Sequence, residues 1–186
     1  MASVASIASP PTRGMLLPQT APNHEQGALM TTKTYRQGAV GALMDEYERA
    51  AAELVSILDG ITDEEFERIR DTETQDEDCR SIQTIMRHVV RAGYGYAGYM
   101  RTAWGKEPVV RWDQPVSRGQ IAGEMRTMLD YMIETLDSKW GMSDKEMTEM
   151  KMVVRWGPTF DFEQLFEHAI VHVLRHRRQI ERFLGR

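Results

Sequence analysis

Four stretches of this chain carry apolar residues at three- and four-residue steps, and no comparable stretch alternates with a period of two. In the first, Val40, Leu43, Met44, Tyr47, Ala51, Leu54, Val55 and Leu58 make one dry face, and Gly60 closes the run. The second begins at Ser81 and turns Ile82, Ile85, Val89, Ala92, Tyr96 and Met100 inward before Gly105 and Pro108 stop it. The third runs from Ser117 to Trp140, with Ile121, Met125, Met128, Leu129, Met132 and Leu136 inward. The fourth opens at Asp161, with Gln164 as its reciprocal capping partner, and ends just before Gly185. Four amphipathic helices bury their stripes best against one another, so the expected fold is all-α, a four-helix bundle. The connections are long enough to leave a crossover topology open.

Smaller signals fall between these runs. Thr62 with Glu65, and Ser143 with Glu146, read as capping boxes of short helical pieces. Gly93, Gly95 and Gly98 each weaken the second helix by roughly 1 kcal/mol relative to Ala, which points to close packing or local irregularity. The stretch from Asp71 to Asp78 reads as an acidic loop, and "KMVVRWGP" (151–158) is ambiguous between helix and strand. Residues 1–30 are rich in Ala, Ser and Pro and lack periodicity, so they read as a flexible tail ahead of a helical domain over 31–186. The start carries no Lys or Arg and its apolar run is broken, which is unlike a secretory signal.

A formal net charge of −5 argues against general nucleic-acid binding. No apolar run has the length of a membrane span, so no membrane partner is expected. The single cysteine, Cys79, excludes an internal disulfide and any CxxC knuckle; it reads as a surface residue of the acidic loop, and the natural setting is a reducing cytoplasm. Arg175, Arg177, Arg178, Arg182 and Arg186 read as cations gathered toward a helix C-terminus.

The segment "HAIVHVLRHRRQI" (168–180) stacks three of the chain's five histidines at four-residue spacing. With His168 as origin, His172 falls at about 40° and His176 at about 80° around the helix, against an apolar arc from about 60° to 160°. His176 is thus expected inside the dry stripe, His172 on its border and His168 outside it. Gln179 lies beside the His168–His172 edge, while Arg175, Arg178 and Glu167 are read as pointing elsewhere. On the second helix, His88 sits at the margin of the buried face. Two inward histidines one turn apart, met by a third from another helix, can hold a divalent cation. Neutral ligands would leave the ion's charge at +2 and one position open, as in catalytic sites. The same spacing suits hydrogen-bonded boundary histidines, and from these residues alone both readings stand. Gln179 could orient a histidine or cap a backbone group; Tyr96 and Tyr99 could line a pocket or simply pack.

Two motifs carry a family resemblance. "HVLRHRRQI" resembles the closing pattern of the DinB-like (DinB/YfiT) family: His, three residues, His, Arg, any residue, Gln, an aliphatic. "SIQTIMRHVVRAGYGY" resembles the family's earlier segment, where a helix beginning with Ser delivers one histidine. The likeness runs from Thr31 to the end and departs at Arg178, where many members have glycine. It implies His88, His172 and His176 as ligands of a divalent metal, zinc or nickel. It also implies up-down-down-up connectivity, a homodimer and a small-molecule substrate. The activity that follows is metal-dependent transfer of a low-molecular-weight thiol to an electrophile, which needs no protein cysteine. Metal-dependent hydrolysis is the runner-up, disfavoured because the last helix has no HExxH and no inward carboxylate. A non-catalytic metal-binding or dimerisation module is the remaining alternative.

Overall fold

The computed structural model describes residues 34–109 and 114–186. The elements in order are α1 (Gly38–Ser56), α2 (Asp63–Glu67), a 3-10 turn (Glu77–Cys79), α3 (Ile82–Ala103), α4 (Arg118–Thr135), α5 (Asp144–Glu149), β1 (Met152–Val153), β2 (Thr159–Phe160) and α6 (Phe162–Phe183). The expected tail over residues 1–30 lies outside the described residues, as do residues 110–113 of the loop before α4.

The long helices α3 and α6 start where a side chain satisfies a free N–H group of the first turn. The Ser81 hydroxyl accepts from Thr84 N at 3.1 Å, and the Asp161 carboxylate accepts from Gln164 N at 2.9 Å. Thr62–Glu65 and Ser143–Glu146 form reciprocal boxes at the heads of α2 and α5. Gly105, at φ +69°, takes the left-handed conformation that ends α3.

Contacts between the helices fix their directions. Tyr47 meets Phe166 edge-on, and Glu53 further along α1 pairs with Arg177 further along α6, so these two run parallel. Trp104 at the end of α3 meets Phe162 at the start of α6, while His88 near the start of α3 meets His176, so this pair is antiparallel. Gln83 Nε2 donates to Val116 O ahead of α4, and Arg101 pairs with Glu134, so α3 and α4 are parallel. The bundle is therefore up-down-down-up, and the lengthwise crossover joins the consecutive, parallel helices α3 and α4. Its centre is filled by Met44, Tyr47, Met100, Met128, Phe162 and Phe166, all fully buried.

The third long helix stops five residues earlier than its sequence suggests, at Thr135 rather than Trp140. Leu136 is its C-cap, and Ser138 adopts φ +64° within a run of turns through Gly141. Trp140 still falls at helical spacing from Leu136, but it is anchored by the Arg36 guanidinium 5.7 Å from its ring centroid. The 151–158 stretch resolves as a two-residue strand followed by a turn: β1 pairs antiparallel with β2, Met152 opposite Phe160 and Val153 opposite Thr159. Gly157, at φ +112°, permits the tight reversal between them. Among the described residues, no helix is long and apolar enough to cross a membrane.

Candidate metal centre

The antiparallel α3–α6 pair brings the early turns of one helix onto the later turns of the other. His88 and His172 thereby meet with Nε2 atoms 2.9 Å apart, and His176 Nε2 lies 3.3 Å from His172 Nε2. One ligand nitrogen from each of the three lies within 4.8 Å of the others, a group able to hold a metal ion. His172 and His176 are 8% and 5% exposed, and His88 is partly buried.

Hydrogen bonds behind the rings decide which nitrogens face the centre. His88 Nδ1 lies 3.1 Å from Asp78 Oδ2, and a carboxylate only accepts, so Nδ1 carries the proton. The Arg91 guanidinium is 3.4 Å from the same nitrogen, but it also donates to Asp78, which is the nearer and charged partner. On the other side, Gln179 Nε2 donates to the Cys79 carbonyl at 3.4 Å. That turns Gln179 Oε1 toward His176 Nδ1 at 3.0 Å, and makes that nitrogen a donor as well. His88 and His176 therefore aim bare Nε2 lone pairs at the centre. His172 can offer a proton to only one of them. A donor set of this kind fits a cation.

Electrostatics keep the rings neutral. Burial, then the neighbouring His176 and His88, holds the His172 imidazole down at about 2, and burial with His88 holds His176 at about 4. Burial also lowers His88, against the opposing pull of Asp78. All three rings are therefore neutral at neutral pH, each with one unprotonated nitrogen.

A cavity of about 560 Å³ opens beside His88 and His172. Tyr96 forms one wall, edge-on to His172 at 5.7 Å between centroids. Burial pushes its phenol upward, so it stays protonated. Tyr99 also lines the cavity, and its hydroxyl accepts from Arg155 N at 2.9 Å, tying the β1–β2 turn to α3. His168 is not part of the converging trio. It stacks on Trp156 at 5.7 Å and 28°, half-buried at the cavity wall, 6.4 Å from the His172 ring.

Several neighbours escape the sequence reading. Asp78 looked like one more acid of a solvated loop. Cys79, read as a surface residue, is half-buried, and its carbonyl orients Gln179. Arg175 was read as pointing away, yet it lines the cavity. The signal was present, since seven residues from His168 is a rotation of about 700°, which returns to within about 20° of it. Trp156 and Arg155 reach the site only through the hairpin, which periodicity does not reveal.

The class these features define is a helical bundle with a three-histidine cluster able to hold a metal ion, set beside an open cavity. The DinB superfamily model matches residues 46–180, most of the chain, and the protein belongs to that superfamily. No curated protein is significantly similar to it.

Proposed function

We propose that His88, His172 and His176 bind a divalent metal, zinc or nickel, and that the protein is a thiol S-transferase acting on a small electrophile with a low-molecular-weight thiol. The observation that carries the metal assignment is the pair of bare Nε2 lone pairs fixed by Asp78 and Gln179. A bound divalent ion supplies positive charge that favours thiolate over thiol.

The protein's own groups support the remaining tasks. His168, held neutral by burial and by Arg175, can take the thiol proton at the cavity wall. The sulfur then forms the new C–S bond as the electrophile's leaving group departs with its electron pair. Tyr99, whose oxygen already accepts from Arg155 N, can donate its hydroxyl proton to a ligand. No Asp or Glu lines the cavity among the described residues, and Asp78 is engaged behind His88. That absence of a carboxylate base beside the open space favours thiol transfer over hydrolysis. A homodimer and a cytoplasmic setting belong to the same proposal, resting on family likeness and on the single cysteine.

The test combines metal analysis with a thiol screen. Full-length protein should carry stoichiometric zinc or nickel by elemental analysis, and His172→Ala should lose it while keeping its helical circular dichroism. Bacillithiol, mycothiol and glutathione are then offered with 1-chloro-2,4-dinitrobenzene, and one should give metal-dependent thioether formation. Bound metal with ester or amide cleavage and no thiol dependence would replace the transferase reading by the hydrolase one. Metal whose removal unfolds the chain would favour a structural module.

A further inference from the structure

We propose that the cavity binds a small organic anion with a flat, unsaturated body, gripped by Arg155 and Arg175 and stacked among Tyr96, Tyr99 and Trp156. This deepens the transferase reading by naming the class of its electrophile. It rests on that reading for the chemistry alone, not for the binding.

Charge around the cavity is one-sided. Arg91, Arg155 and Arg175 line it, with no carboxylate among the described residues of the lining. Arg91 is balanced by Asp78. Arg155 and Arg175 have no ion-pair partner among the described residues. They come from different elements, Arg155 from the β1–β2 turn and Arg175 from α6, yet border one space. Guanidinium groups suit carboxylate or phosphate oxygens because they present paired N–H donors. Position also matters here: the Arg155 backbone is pinned by Tyr99, and the Arg175 charge reaches His168 and Tyr96.

The walls select for shape. Trp156 is 46% exposed, yet it is held edge-on to Tyr96 and Tyr99 and stacked on His168, so it offers a fixed flat face. Gly95 is an exposed part of the lining. It lies in mid-helix and lines the cavity, and a Cβ added there would meet nothing within 4 Å. Packing among the described residues therefore does not require glycine at this position, and its lack of a side chain leaves the α3 backbone open to close approach of a flat ligand.

Calorimetric titration of benzoate, its neutral isostere benzamide and the puckered anion cyclohexanecarboxylate tests this. It is run on the full chain both metal-loaded and after chelation, with fold checked by circular dichroism. Benzoate should bind tightest in both forms. Arg155→Gln/Arg175→Gln should weaken benzoate by about tenfold or more while leaving benzamide unchanged. Gly95→Leu should weaken benzoate without lowering the thermal midpoint. Equal affinity for benzoate and benzamide, or a double variant that keeps the preference, would overturn the proposal. Equal affinity for benzoate and cyclohexanecarboxylate would overturn the flat-body part of it. Binding by chelated protein that never takes up metal would sink the metal reading and leave this one standing; metal uptake without benzoate preference would do the reverse.

Discussion

His88 and His172 hold their Nε2 atoms 2.9 Å apart, although one belongs to the second long helix and the other to the last. Two imidazole nitrogens at that distance need a proton or a cation between them. Asp78 and Gln179 fix the protons of His88 and His176 on the far sides of those rings, so the only proton available at the centre is that of His172. The metal-free cluster is therefore left with an unsatisfied lone pair in a buried setting, which a divalent ion would relieve.

This arrangement makes the supporting groups testable. Asp78→Asn and Gln179→Ala should each weaken zinc affinity by about 10- to 100-fold, the usual cost of losing a group that orients a ligand histidine. Competition against a chromogenic chelator measures it. Asp78→Asn also loosens the ion pairs to Arg87 and Arg91, so helical content should be checked in parallel. Unchanged affinity in both variants would mean that the ring tautomers do not matter.

The metal-free protein should be acid-sensitive in a defined window. Burial lowers His172 to about 2 and His176 to about 4 from the ordinary 6.5, so the unfolded chain binds protons more readily than the folded one. Stability is then full above the unfolded value and falls as pH drops below it, continuing toward the folded values. Urea midpoints in chelator should decline from pH 7.5 through 6.0 to 5.0, and His172→Gln/His176→Gln should flatten that decline. A wild-type profile as flat as the variant's would contradict the buried, neutral rings.

Much of this architecture is legible in the sequence because it is local. Helical spacing and N-caps such as Asp161–Gln164 depend on residues a turn apart. The i, i+4 pair His172–His176 is legible for the same reason. Asp78 is not, because its role depends on a loop folding back onto α3 some ten residues later. Arg155 and Trp156 depend on a two-residue ladder too short to give an alternating pattern. The three glycines of α3 look alike in sequence yet do different things. Gly93 faces Met128, Gly98 faces Pro108, and Gly95 faces open space.

Removing the cap of α6 should cost stability by a known mechanism. The Asp161 side chain accepts from Gln164 N at 2.9 Å and lies 3.4 Å from Lys151 Nζ. Asp161→Ala should lower unfolding free energy by about 0.5–2 kcal/mol in urea, and Asp161→Asn should recover most of it, since an amide oxygen caps nearly as well. Equal losses in both variants would assign the effect to the Lys151 contact instead.

Gly93→Ala sets helix propensity against packing. Alanine in mid-helix favours the fold by about 1 kcal/mol over glycine. Here, however, the added Cβ would stand 2.3 Å from Met128 Sδ and 2.9 Å from the Tyr47 hydroxyl, both on fully buried side chains. The same hydroxyl donates to Met128 Sδ at 3.6 Å, so neither group can retreat without losing a buried partner. Overpacking of this kind costs about 1–3 kcal/mol and should outweigh the propensity gain. Urea denaturation should show Gly93→Ala less stable than wild type. Placed in a Met128→Ala background, the same change should become neutral or stabilising, because the obstructing thioether is gone. A destabilisation that persists there would locate the clash at Tyr47 rather than at the α3–α4 contact.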